Sequence, residues 1–190
     1  MPSNAYTGTL AQMLRDAEAL DSAHSHLSSL VPPPLGSLDA ITRAVVVACL
    51  SAWEAFVEEL IVESVDAMRP AAPPLGSWPS HKAIVLGETK RFNTPNAENV
   101  RLLFSGTLGI PDVSQGWVWA GHTTAMAVQD LTNAMRLRNQ IAHGVNPRPT
   151  VDYHYSSQLP DFFRRLGLAT DQAVRNHLAT VLGIIAPWVP

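Results

Sequence analysis

A cation and a titratable ring stand five residues apart near the end of a long helical pattern. Projected at about 100° per residue, residues 125–143 place Arg138 near the middle of an apolar arc and His143 in the last turn. A guanidinium stays charged, so it needs a nearby acceptor wherever it is buried. Histidine suits proton transfer near neutral pH. The pattern therefore predicts a buried cation next to a proton-transfer group. The arc comprises Val128, Leu131, Ala134, Met135, Leu137, Ile141 and Ala142.

Asn139 completes this constellation. Residues five apart on a helix differ by about 140° in direction, so Arg138 and His143 do not stack. Asn139 and His143 are four apart and can touch on one face. We expect the arginine to face the bundle, with Asn139 and His143 at its rim. A shared site forms most readily if two copies bring these rims together across a two-fold axis.

An acidic residue interrupts the apolar pattern of an earlier helix. Glu54 projects among the apolar residues Val46, Val47, Leu50, Trp53, Val57, Leu60, Ile61, Val65 and Met68. An unpaired carboxylate there would take up a proton or cost several kcal/mol. We therefore expect a cross-helix pair between Glu54 and Arg138. The pair could fix the register of two helices, or it could orient the guanidinium for chemistry.

The composition sets the broad class. With 190 residues, the chain is large enough for a single domain spanning 1–190 with its own core. Charged residues make up 15% of it, against about 25% in typical domains, which suggests a surface that a partner copy covers. A net charge of -3 argues against a broad electrostatic grip on nucleic acid. A local basic groove is still compatible with that charge.

Cysteine usage and hydropathy indicate the compartment. Cys49 is the only cysteine and sits in an apolar run, where a small core residue is expected. A single cysteine cannot form a disulfide within the chain, which is typical of proteins in a reducing cellular compartment. The first residues lack a signal-peptide pattern, and no apolar run reaches the roughly 18 residues of a membrane span. We expect a cytoplasmic protein, without a bound metal or cofactor.

The elements that must position these residues read as helices throughout. Helical periodicity covers residues 7–30, 38–68, 80–89, about 93–108, 125–143 and 159–185, the last as one helix or a pair. Proline and glycine clusters separate most of them, as at residues 31–36 and 69–76. No sustained period-two alternation is present. The prediction is an all-α bundle of about five to six helices, with two long antiparallel helices at its core.

Several segments together resemble the HEPN superfamily. Arg138-Asn139-Gln140-Ile141-Ala142-His143 fits its motif, in which an arginine, usually followed by a polar residue, precedes a histidine by four to six positions. Residues 52–60, AWEAFVEEL, are similar to the second-helix signature of the RiboL-PSP branch. Residues 92–100 and 108–110 resemble the middle region of that branch. The resemblance covers roughly residues 38–145.

This resemblance implies an all-α homodimer that is often a metal-independent endoribonuclease. Arg138 and His143 of both copies would line a cleft at the dimer interface, with Asn139 holding the ring or touching a phosphate oxygen. Many relatives act as toxins or antiviral RNases, so RNA would be the substrate, and an antitoxin or defence-system protein would be a partner. Other relatives are catalytically silent and bind protein, RNA or nucleotide. A plain helical dimerisation domain is a third reading, in which the arginine only fixes register.

Overall fold

The structure is a computed structural model, and it describes residues 1–32, 37–71, 76–144, 149–185 and 187–188. Within these ranges six α-helices and no strand are formed, so the predicted all-α class and helix number are confirmed. A π-helical segment, Ala5–Leu10, leads into the first helix, and a 3₁₀ turn, Val113–Gly116, follows the fourth. None of the described helices is long and apolar enough to cross a lipid bilayer. The helices are α1 (Ala11–Ser28), α2 (Ser37–Ala67), α3 (Trp78–Thr89), α4 (Ala97–Leu108), α5 (Thr124–Ala142) and α6 (Tyr153–Val181).

Helices α1 and α2 are antiparallel. The backbone N–H of Ala5, just before α1, donates to Glu63 near the end of α2. Farther along α1, the charge of Glu18 acts on the thiol of Cys49, in the first half of α2. The two helices therefore run in opposite directions. The segment between them, residues 33–36, lies outside the described residues.

A third long helix, α6, runs parallel to α2. The rings of Trp53 and Phe163 lie 6.2 Å apart, and farther along both helices Glu63 is close enough to raise the pKa of Asp171. The sequence predicts this helix from residue 159, but it begins at Tyr153 because the Asp152 carboxylate accepts a hydrogen bond from the Tyr155 N–H at 3.0 Å. This cap was missed because no apolar periodicity accompanies the first turn.

The core is centred on α2 and its aromatic residues. Trp53, Phe56 and Trp117 are fully buried, and the Trp53 and Trp117 rings meet edge to face at 6.1 Å. The exposed side of α2 carries Val47, which is 36% exposed. The prediction that Val47 lies on the apolar face was wrong. Val46 and Trp53 lie on the buried face of α2, and the side chain at position 47 points about 100° away from that of Val46.

Two carboxylates hold the start of the chain against α2 and α6. The N–H groups of Asn4 and Ala5 donate to the two oxygens of Glu63, each at 3.0 Å. The N–H of Ser3 donates to Asp171 at 2.9 Å, and both of these residues are buried. Amides that have no partner within a helix are thereby satisfied by acidic side chains, which the partial positive charge of a helix N-terminus also favours.

Candidate functional site

The end of α5 carries the arginine, asparagine and histidine that the sequence analysis identified. Thr123 caps the beginning of α5, with its side chain accepting from the Met126 N–H at 3.3 Å. At the other end, His143 directly follows the last helical residue, and its N–H donates to the Asn139 carbonyl at 3.0 Å. Gly144 then turns the chain away with a φ of 62°, a conformation that glycine adopts without strain. The imidazole is consequently exposed at the helix end.

Asn139 and His143 lie on one open groove, which we call the α5 groove. Its volume is about 500 Å³. The four-residue spacing places both side chains on the same face of the helix end, as expected. Arg136 is exposed and supplies a guanidinium to the same groove. The full lining consists of Thr94, Asn96, Thr132, Met135, Arg136, Asn139, Gln140 and His143.

The opposite wall of the groove is the segment that precedes α4. The Asn96 side chain caps α4 by accepting a hydrogen bond from the backbone N–H of Asn99 at 2.8 Å. The side-chain amide of Asn99 donates in turn to the Thr94 carbonyl at 2.9 Å. The indole N–H of Trp53 donates to the Pro95 carbonyl at 2.9 Å. The wall is therefore tied to the core. The sequence indicated a helix cap here, but a cap signal does not reveal that its loop faces α5.

Arg138 is half-buried rather than buried, which corrects the expectation drawn from the apolar arc. Leu131 and Ala134 on the same arc are fully buried, whereas Ala142 is exposed. The arc therefore continues past the part of the bundle that covers it. Arg138 does not line the α5 groove. Its guanidinium instead donates to the Asn139 side-chain oxygen across a long 3.4 Å hydrogen bond.

Glu54 and Arg138 influence each other without a direct ion pair. Burial raises the pKa of the Glu54 carboxyl, and the positive charge of Arg138 lowers it again by a smaller amount. Among the described residues, no nitrogen–oxygen contact of 4.0 Å or less joins these two side chains. Glu54 lies at the edge of the packed arc of α2 and is half-buried. The link expected between them is thus a longer-range attraction.

The groove combines an exposed imidazole, a guanidinium and a carboxamide. The imidazole can exchange protons with a ligand, and the guanidinium and amide can donate hydrogen bonds to phosphate oxygens. Arg136 is the arginine that lines the groove in a single chain, whereas the apolar arc of the sequence favours Arg138 for this role. In the described part of the chain, no three His, Cys, Asp or Glu side chains are grouped so that they could hold a metal ion.

A family model described as RiboL-PSP-HEPN matches residues 14–176. The matched range contains Glu54, the α4 cap and the whole of α5. No curated protein and no solved structure matches the chain. The match confirms the resemblance inferred from the motif at Arg138–His143 and from the α2 segment.

Proposed function

Because the chain belongs to the RiboL-PSP-HEPN family, we propose that it is a metal-independent endoribonuclease that acts as a homodimer. The observation that carries the proposal is the α5 groove, in which the exposed ring of His143 lies beside Asn139 and the guanidinium of Arg136. These groups supply a proton carrier and two donors for phosphate oxygens on one open surface. We further propose a role as a toxin or in defence against phage, with a neutralising or defence-system protein as partner.

The chemistry follows from what RNA requires. One imidazole removes the proton of a 2′-hydroxyl, the 2′-oxygen forms a bond to phosphorus, and the bond from phosphorus to the 5′-oxygen breaks. A protonated imidazole delivers a proton to that leaving oxygen. The products are a 2′,3′-cyclic phosphate and a 5′-hydroxyl. DNA lacks the 2′-hydroxyl and is spared by this route.

A single chain offers one imidazole in the groove, whereas the reaction uses two. His143 of a second copy would supply the other, so the proposal includes a two-fold dimer. The apolar arc that runs past the bundle supports this arrangement, since Ala142 is exposed and Arg138 is half-buried. A partner copy covering this end would bring its own Arg138 toward the shared cleft. The arginine could then stabilise the charge that develops on phosphate oxygens.

One observation favours a second candidate function. In the single chain, Arg138 does not line the groove and instead holds Asn139. If the dimer leaves this arrangement unchanged, Arg138 positions Asn139 and so maintains the shape of the groove, without contacting RNA itself. The protein would then be a binding module for protein, RNA or nucleotide without cleavage.

Incubation of the purified protein with a mixed RNA pool in EDTA tests the proposal. We expect cleavage of RNA but not of DNA, and loss of cleavage in His143→Ala and Arg138→Ala. His154→Ala is the matched control, because His154 is an exposed histidine of α6 outside the groove. Analytical ultracentrifugation establishes the dimer, and circular dichroism establishes the fold of each variant.

Intact RNA with a verified dimer would reject the nuclease and favour the binding module. Cleavage that survives His143→Ala would place the chemistry elsewhere.

A further inference from the structure

A second cavity, of about 570 Å³, lies beside the N-terminal half of α5 and the first half of α6. We call it the α5–α6 pocket. It shares no lining residue with the α5 groove. Its volume is within the range of roughly 300–1,000 Å³ that small-ligand sites occupy. Its lining includes Trp119, His122, Asp130, Tyr155, Asp161 and Phe162.

Three rings form an apolar side of the α5–α6 pocket. The ring centroids of Trp119 and His122 lie 4.8 Å apart at an interplanar angle of 12°. Phe162 lies 6.1 Å from the first ring and 6.2 Å from the second. Two backbone hydrogen bonds between Trp119 and His122, 3.2 and 2.9 Å long, close the turn that carries them, and Gly121 supplies its φ of 81°. The rings are thus held in a fixed arrangement.

Two carboxylates form a polar side. Asp130 uses one oxygen to meet the His122 ring nitrogen at 2.9 Å, and Asp161 uses one oxygen to accept from Arg165 at 2.7 Å. Among the described residues, the second oxygen of Asp130 has no hydrogen bond, and the second oxygen of Asp161 lies 4.0 Å from the Arg164 guanidinium. The Tyr155 hydroxyl is buried in the same wall, and no partner for it exists in the part of the chain that the structure describes. Burial is the main cause that raises the pKa of Tyr155 to about 12, so at neutral pH this group is a donor.

The donor and acceptor inventory selects a class of ligand. Asp161 is paired with Arg165, which lines the same pocket, so Asp130 is the carboxylate that disfavours a phosphate group there. Aromatic faces favour a flat ring, and the second oxygen of Asp130 favours an N–H donor on that ring. A nucleobase with an exocyclic amino group meets these requirements. An acceptor atom on the same base could accept a hydrogen bond from the Tyr155 hydroxyl after a small movement of that side chain.

A smaller cavity shares lining residues with both this pocket and the α5 groove. Its volume is about 280 Å³. Arg136 and Gln140 line both this cavity and the groove, and Tyr155 lines both this cavity and the pocket. Asp130 and His143 stand 13 positions apart in the sequence, which corresponds to about 20 Å along a helix axis. Several nucleotides of a single strand could span that distance, with the Arg136 guanidinium beside the backbone.

We propose that the α5–α6 pocket binds an amino-bearing base of the RNA strand whose cleavage site lies at His143, and so selects the substrate sequence. The inference rests on the proposed function for its biological meaning. The binding event itself requires no cleavage.

Free nucleosides test the pocket directly. Tryptophan fluorescence of the protein, titrated with adenosine, guanosine, cytidine, uridine and inosine, reports binding next to Trp119. At least one amino-bearing nucleoside should bind, and its counterpart without the amino group (inosine or uridine) should bind about fivefold more weakly, the effect of one hydrogen bond of about 1 kcal/mol. Asp161→Asn, an exposed change, should weaken binding by a similar factor. Phe162→Leu should weaken it further.

Asn139→Ala is the matched control, because it changes the α5 groove and leaves the pocket intact; nucleoside affinity should be unchanged. No quenching by any nucleoside at tens of millimolar would overturn the inference. The same holds if Asp161→Asn and Phe162→Leu both bind like the parent protein, or if argininamide binds more tightly than every nucleoside, which would identify a cation site. RNA cleavage without nucleoside binding rejects only the pocket. Nucleoside binding without cleavage rejects only the nuclease.

Discussion

Neutralising Arg138 should raise the pKa of Glu54 further. Burial already raises it, and Arg138 is the charge that opposes that shift. Unit charges at 4.0 Å, a distance that the Glu54 and Arg138 groups exceed, attract by roughly 1 kcal/mol in water and roughly 4 kcal/mol at an effective dielectric of about 20. Because both groups are only half-buried, solvent and salt reduce this, and we expect about 1 kcal/mol.

The sign of the effect on stability follows from linkage. A carboxyl whose folded-state pKa is raised contributes most below its unfolded pKa, and the contribution is lost as pH rises through the folded value. The loss should be larger in Arg138→Gln than in the parent protein. A double-mutant cycle with Glu54→Gln should give a coupling of about 1 kcal/mol at pH 7, falling toward zero near pH 3, where Glu54 is protonated.

Two measurements check this expectation. Carbon-detected NMR follows the Glu54 carboxyl through a pH titration in the parent protein and in Arg138→Gln. Urea unfolding at pH 3 and pH 7 supplies the cycle. Glu59→Gln replaces an exposed carboxylate of the same helix and serves as the control, with no coupling expected. An unmoved Glu54 pKa, with coupling no larger than about 0.3 kcal/mol at pH 7, would refute the reasoning.

Four further substitutions have defined outcomes. Tyr155→Phe removes a buried hydroxyl that has no partner among the described residues, so urea unfolding should show unchanged or higher stability, by up to about 1 kcal/mol; a loss of stability above that would reveal an acceptor for this hydroxyl. Gly116→Ala would set a methyl group 2.7 Å from the Cβ of Ala173 and should lower stability by about 1–3 kcal/mol, whereas Gly87→Ala meets open space and should raise it by about 0.5–1 kcal/mol. Burial raises the pKa of Asp171, so the contribution of this carboxyl to stability should be lost as pH rises from about 4 upward. The difference in stability between the parent protein and Asp171→Asn should change with pH in that direction; parallel pH profiles of the two proteins would contradict the assignment.

Apolar periodicity located the helices because each long helix packs one side against the core. The boundaries of α2 and α5 lie within one or two residues of the prediction. Periodicity failed where another force decides, as at Tyr153, where a capping carboxylate starts α6 six residues early. The sequence pattern also could not predict that α6 runs parallel to α2. It depends on tertiary packing such as that of Trp53 on Phe163.

The candidate site was partly predictable. Helix geometry alone places Asn139 and His143 on one face, and the structure puts both on the α5 groove. The degree of burial of Arg138 was not predictable, because a helical projection does not show where the neighbouring helices stop. Thr94 and Asn96 were missed as a wall since they approach α5 only through the fold. A sequence pattern records the faces of one helix and cannot show which distant loop will meet them.

The hydrogen bond from the Trp53 indole to the Pro95 carbonyl links the groove wall to the most protected part of the molecule. Displacement of residues 94–96 would break this hydrogen bond and leave the buried indole N–H without its acceptor. Whatever occupies the groove should slow solvent exchange of that indole proton, although the ring itself is fully buried. The NMR signal of the Trp53 indole proton would then report both ligand binding in the groove and the stability of the core.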